Sequence, residues 1–219
     1  MKRIICISGL LLTAANLVSQ NPIVPPGVYI ADPSAHVWKD GKIYVYGSRD
    51  ESPEYYCSKS YRVLSSEDLK VWKVSGESFA SAGPGDEVTY SDAYLYAPDA
   101  QYYKGKYYLY YCLSSAINTE GVAVSDSPLG PFKKGTPIDV GRFNQIDPGI
   151  FIDDDGKAYH VWGQFNAKMA RMNPDMISID TATISENVIT EENHYFHEVC
   201  FMITRNVLYY LFYADVIRV

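Results

Sequence analysis

The chain is poor in most of the features that mark a function class. It carries 19 Lys and Arg against 26 Asp and Glu, a net charge of −7. Nucleic-acid binding needs clustered cations to neutralise phosphates, so nucleic acid is excluded as a partner. Cysteine is scarce, four in 219 residues, and none of the four stands at metal-ligand spacing from another. No stretch reaches the roughly 20 apolar residues that a bilayer span demands. Linkers and low-complexity segments are absent after the Pro-rich lead-in of residues 21–27. At the N-terminus, Lys2 and Arg3 precede a short, mostly apolar run, residues 4–18, that ends near Ser19 and Gln20. This pattern reads as a signal peptide over residues 1–20, leaving a domain over 21–219 and a secreted or periplasmic location. The competing reading is an apolar strand docked on the domain. Removal of Cys6 with the leader leaves Cys57, Cys112 and Cys200. Buried free thiols are expected, with a Cys57–Cys112 disulfide as the open alternative.

What the chain has in quantity is tyrosine, 20 residues, within an aromatic share of 14%. Such a composition favours strands over helices. The tyrosines fall in a recurring unit: an acidic residue, a short apolar run, a Gly-centred turn, then an aromatic strand. Copies open at Asp32-Pro33, Pro98-Asp99 and Asp147-Pro148, with a worn fourth at Glu198-Val199. Their turns are Asp40-Gly41, Lys104-Gly105 and Asp155-Gly156, the last expected as a tight hairpin because Gly tolerates positive φ. A second element follows the unit. Leu64 to Trp72 parallels Val124 to Phe132, with Met172 to Met176 as a third version. In each, the terminal aromatic or apolar residue is expected to plug against the neighbouring unit.

Repeats of about 40–50 residues made of short strands predict an all-β propeller. The starts of the inner strands then converge on a central channel. Long connections, residues 49–61 and 76–95, are expected to shape a binding face. Three full blades and the start of a fourth can be counted. Propellers close with about four to eight blades, so the propeller is expected to be incomplete at its C-terminal side and the chain weakly active as it stands.

The segments Ile30-Ala31-Asp32-Pro33-Ser34, Tyr96-Ala97-Pro98-Asp99-Ala100, Gln145 to Gly156 and Phe196-His197-Glu198 resemble glycoside hydrolase family 43. That family consists of five-bladed propellers acting mainly on arabinose- and xylose-containing polysaccharides. The resemblance implies Asp32 as general base, Asp147 as the group that tunes and orients the acid, and Glu198 as general acid. It implies an oligo- or polysaccharide substrate, no required cofactor, and a structural calcium in the complete family fold. One departure is visible: the family usually has small residues after the acid, where this chain has Val199-Cys200-Phe201-Met202. Further readings on the same scaffold are a galactofuranosidase, a carbohydrate-binding propeller without catalysis, and a truncated product without function.

The chemistry fits these residue types. An inverting hydrolase needs one carboxylate to deprotonate water and one carboxyl to protonate the leaving oxygen, about 6.5–9.5 Å apart. A third carboxylate nearby is expected to raise the acid's pKa by like-charge repulsion. The competing reading for Asp32 and Asp147 is a turn residue at a strand entrance, and for Glu198 a structural or exposed side chain. Tyr96 reads equally as a sugar-stacking ring or a core aromatic. Trp162 is expected to line the cleft, and His197 to touch substrate. Asp99 reads as a structural blade-entry carboxylate; His36 and His160 read as packed residues. Asp153-Asp154-Asp155 lacks the ligand spacing of a calcium loop and reads as a solvated hairpin tip. No metal site is expected from the chain's own residues.

Overall fold

The computed structural model describes residues 23–215. The signal-peptide reading of residues 1–20 and Cys6 falls outside them. Four antiparallel sheets follow one another along the chain. The first holds β1 (Ile30–Val37), β2 (Ile43–Arg49), β3 (Ser60–Ser66), β4 (Lys73–Val74) and β5 (Phe79–Ala80). The second holds β6 (Asp99–Tyr103), β7 (Lys106–Cys112), β8 (Glu120–Ser125) and β9 (Lys133–Pro137). The third holds β10 (Gly149–Ile152), β11 (Ala158–Trp162) and β12 (Lys168–Arg171), and the fourth β13 (Glu198–Arg205) and β14 (Leu208–Ala214). Strands pair in chain order, apart from β5, which returns to β3. Each sheet is therefore a meander, and each coincides with one copy of the repeat. Between the third and fourth sheets lie a 3-10 turn, Thr181–Thr183, and a single helical turn, α1 (Glu191–His194). The sheets share no hydrogen-bonded strand, and among the described residues they form an open series of propeller-like blades.

Local chemistry explains the hairpins. Lys104 and Gly105 join β6 to β7 with φ of +46° and +90°, the pair of left-handed residues that suits right-twisted strands. The β10–β11 turn is longer than expected. It spans residues 153–157, is closed by a bond from the Gly156 N–H to the Asp153 carbonyl, and needs Gly156 at φ +81°.

Side-chain alternation along the second strands builds the core. On β7, Leu109 and Tyr111 face the first blade, joining Tyr44, Tyr46, Tyr61 and Phe79. Tyr110, between them, faces the third blade, where it meets Ile150, Trp162 and Met176. Successive strand residues point to opposite faces, so one strand feeds two inter-blade cores. The third core is small: Val161, Ala167, Phe196 and Cys200. The expected plugs hold in two of three blades. Phe132 is buried, edge-on to Tyr46, and Met176 is buried with its carbonyl accepting the Tyr110 hydroxyl. Trp72 is not a plug. Its indole N–H donates to the Leu69 carbonyl in its own turn, and Phe79 of β5 fills the corresponding core position against Tyr111.

The inner strands stand side by side in chain order, β6 against β1 and β10, and β10 against β13. The last contact is the tightest. A Cβ on Gly149 would lie 2.1 Å from the Cys200 carbonyl oxygen, a backbone atom that cannot swing aside. Gly149→Ala is therefore expected to push β13 off β10 and lower stability by about 1–3 kcal/mol. Urea denaturation of the two forms checks this, and an unchanged midpoint contradicts it.

Candidate active site

Each candidate carboxylate stands where an inner strand begins. Asp32 lies in β1 at a break in register between Ala31 and Ser34, with φ +45°. Asp147 sits two residues ahead of β10, with φ +67°. Glu198 opens β13, and the register breaks between it and Phe201, with Val199 at φ +58°. Left-handed backbone is strained for any residue but Gly, most of all for β-branched Val. Such strain costs on the order of 1–3 kcal/mol per residue and gathers at functional sites. Here the bulges re-aim side chains off the regular strand face.

The strained backbone ties the carboxylates together. The Val199 N–H donates to Asp147 Oδ2 at 3.3 Å. Beneath Asp147 lies the buried Cys112 thiol: its Sγ accepts the Asp147 N–H at 3.2 Å and faces Oδ1 at 3.8 Å. Glu198 Oε2 accepts Gln164 Nε2–H at 2.8 Å. His197 Nε2 is 3.9 Å from the same oxygen, while its Nδ1 is 3.2 Å from the Glu191 carboxylate. Asp32 lines an open, mainly apolar cavity of about 560 Å³ with Val199, Phe201 and Phe212, between β1 and the β13–β14 hairpin.

Electrostatics shows the same convergence. Burial, then the charges of Glu198 and Asp32, push the Asp147 carboxyl up to about 8, against a smaller downward pull from the Val199 N–H. Asp32, although its residue surface is exposed, is raised first by the loss of water around its carboxyl, then by Glu198 and Asp50. The expectation placed the repulsion on the general acid; the raised groups are Asp147 and Asp32. Asp147 is the most deeply buried and takes the proton.

The other candidates separate. Trp162 does not line the cleft. It has 0% of its surface exposed, and its indole N–H donates to the Phe143 carbonyl inside the second core. Position 162 is the last of β11 and points with Ala158 toward blade two, away from the carboxylates. Tyr96 is half-buried, its ring stacked on Tyr56 at 6.0 Å. His197 is half-buried beside Glu198. Asp99 accepts His36 Nε2, the Ala100 N–H and the Ile150 N–H, all at 2.7 Å. It thus pins the first three blades, as its structural reading has it. His160 is fully buried beside Glu120 at 3.4 Å. Burial drives its pKa down to about 3 and that of Glu120 well up, so both stand neutral. Cys57, Cys112 and Cys200 are free and buried, which closes the disulfide alternative.

Sequence reasoning missed three groups. Gln164 grips Glu198, and Gln145 Oε1 accepts the Gln164 N–H at 2.7 Å and so orients it. Gln145 stands two residues before Asp147, inside the segment that carries the family resemblance but ahead of the repeat, where nothing singled it out. Cys112, the last residue of an aromatic strand, carried no signal.

The family model for glycosyl hydrolases family 43 matches residues 19–216. The chain belongs to that family. Among curated proteins it is 37% identical over 150 residues to a xylosidase/arabinosidase 43A of Humicola insolens, covering 62% of this chain and 44% of that protein. It is 30% identical over 206 residues to an extracellular endo-α-(1→5)-L-arabinanase 2 of Bacillus subtilis, covering 78% and 41%. The chain therefore spans less than half the length of either. Among solved structures, a family 43 β-xylosidase/α-arabinofuranosidase from a compost metagenome, held with xylotriose and calcium-free, superposes with a TM-score of 0.72 at 29% identity. That match covers 88% of this chain and 72% of the other. Among the described residues, no three His, Cys, Asp or Glu side chains gather so as to hold a metal ion. The calcium implied for the complete fold thus finds no such ligand set here.

The raised Asp147 has a consequence for stability. Its folded pKa of about 8 lies above its ordinary 3.8. Between those values the folded state keeps a proton that the unfolded state releases, so stability falls as pH rises, by up to about 1.4 kcal/mol per pH unit. Asp147→Asn removes this titration. Its stability relative to the native sequence is expected to grow from pH 5 to pH 7.5 in urea melts. A difference that stays flat across that range contradicts the assignment.

Proposed function

We propose that this chain carries the hydrolytic site of an inverting glycoside hydrolase acting on arabinose- and xylose-containing polysaccharides. The bonds cleaved are α-L-arabinofuranosyl or β-xylosyl. One observation carries the reading: carboxylates from three of the four inner-strand entrances, those of blades one, three and four, lie within electrostatic reach of one another, and one of them keeps a proton. The names of the relatives support the sugar class.

In this reading Asp32, with its raised pKa, is the general base. It takes a proton from a water whose oxygen attacks the anomeric carbon on the face opposite the leaving group. As the glycosidic C–O bond breaks, Glu198, in the microstate in which it carries the proton shared by the cluster, gives that proton to the departing oxygen. The configuration inverts because water, not a carboxylate, is the nucleophile. Asp147 touches neither reacting atom. It holds the Val199 N–H, fixing the backbone that carries Glu198, and its proton limits the number of charges in the cluster. Gln164 holds the Glu198 carboxyl in place, and His197 meets the substrate at the rim.

The protein is exported, secreted or periplasmic. The leader pattern of residues 1–20 and a relative named as extracellular support this. No helix of the described residues is long and apolar enough to cross a membrane.

Turnover of aryl arabinofuranoside and xyloside tests the reading. Glu198→Gln is expected to lower it by about 10²–10⁴-fold, the usual worth of a positioned proton donor. NMR of the first-formed sugar is expected to show the inverted anomer. A retained anomer, or undiminished turnover by Glu198→Gln, overturns the roles.

A further inference from the structure

Lys168 is a buried lysine that the carboxylate chemistry has not so far called on. It opens β12, in register with Trp162 at the end of β11, and is 5% exposed. An ammonium has three N–H donors and no acceptor. Three oxygens receive these donors: Gln145 Oε1 at 3.1 Å, the Asn166 carbonyl at 3.3 Å, and Asn166 Oδ1. All three oxygens are neutral. Taking an ammonium out of water is costly. Burial accordingly lowers the Lys168 pKa, with the Glu186 charge acting the other way. A lysine held at that cost, with every donor matched, has a task that an apolar side chain could not perform.

Its partners lie on the two segments that bring Gln164 to Glu198. Asn166 belongs to the turn between β11 and β12, residues 163–167, which also carries Gln164. Both Asn166 oxygens fold onto the ammonium, so the turn wraps the charge. The wrap is close. Gly163 stands at φ +132°, and a Cβ there would lie 2.3 Å from the Asn166 carbonyl oxygen and 2.9 Å from Gln145 Oε1. Gln145 comes from the segment ahead of β10. Its Oε1 accepts the Gln164 N–H at 2.7 Å as well as the ammonium. Two donors on one oxygen fix the direction of that amide. The Gln164 backbone is fixed with it, and the Gln164 Nε2–H reaches Glu198 Oε2 at 2.8 Å.

From this arrangement we propose that Lys168 is a positioning residue for the general acid, acting through Gln145 and Gln164 to hold the Glu198 carboxyl toward the departing oxygen. The inference rests on the hydrolase reading and deepens it. Lys168 touches no reacting atom. Its removal leaves three inward oxygens without a donor, so the turn relaxes and Glu198 loses its fixed partner. Carboxyls that drift from productive geometry catalyse poorly. The loss falls on proton donation, which matters most when the leaving oxygen is basic, as in a sugar, and least when it is a nitrophenolate.

Kinetics of the full chain on a nitrophenyl glycoside and on the matching disaccharide, xylobiose or arabinobiose, tests this. Lys168→Met is expected to lower kcat about tenfold on the disaccharide and less than about threefold on the nitrophenyl glycoside, with KM unchanged on both. Lys168→Arg, which keeps the charge and the donors, is expected to restore most of the disaccharide rate. Because Lys168 acts through Gln164, Lys168→Met added to Gln164→Ala is expected to lose no more than Gln164→Ala alone. If urea melts show Lys168→Met unfolded, Lys168→Gln takes its place with the same expectation, since its shorter chain cannot reach all three oxygens. Equal losses on the two substrates, or losses that multiply in the double variant, overturn the positioning role and leave the hydrolase reading standing. Absence of turnover of every glycoside by the native sequence overturns both.

Discussion

Three carboxylates brought to one place cannot all be charged, and much of this structure follows from that constraint. Asp32, Asp147 and Glu198 come from different blades, separated by more than a hundred residues of chain at the extremes. Burial, reinforced by their mutual repulsion, keeps a proton on Asp147. That proton belongs to the cluster as much as to one residue. A folded state that raises a carboxyl's pKa loses stability as that group ionises, and packing elsewhere offsets the cost. The two large inter-blade cores lie between the first three blades, where aromatic rings from both faces of β7 interlock.

Backbone strain is the second component. Asp32 and Asp147 occupy left-handed backbone themselves, whereas in the fourth blade the strain falls on Val199, one residue after the acid. The shift lets the Val199 N–H reach Asp147. It also places a β-branched side chain where the family usually has a small residue. The neighbouring Gly149 is small for a related reason, since it allows the Cys200 carbonyl to approach. Close approach of the two backbones at Gly149, together with the Val199 N–H bond to Asp147 Oδ2, sets how near Glu198 comes to Asp147.

The first three blades were legible because three local signals coincide in each: an acidic entrance, a turn with Gly, and an aromatic strand; the fourth keeps the first and last of these. Asp99 was legible as structural from its place at the entrance of the second blade, and it holds the first three blades together there. What could not be read was whatever depends on the rotation of one blade against the next. Trp162 ends its strand like a cleft residue, yet it shares the strand face of Ala158 and packs into the core with Tyr110 of blade two. Cys112 lies beneath Asp147 only because β7 and the entrance to β10 are neighbours in space. Gln164 meets Glu198 across 34 positions, from a turn with no acidic residue to mark it. Trp72 copies the sequence position of Phe132 but not its packing, because β5 had already filled that slot with Phe79.

The central claim is that the three entrances form one proton-sharing cluster. Carbon-13 NMR titration of the Asp and Glu side-chain carboxyls measures it directly. The account predicts one carboxyl, that of Asp147, titrating near 8. It also predicts that this titration moves down when Glu198→Gln removes the largest neighbouring charge. Titration of every carboxyl within the ordinary range of about 3–5, with Asp147 indifferent to Glu198→Gln, would contradict it.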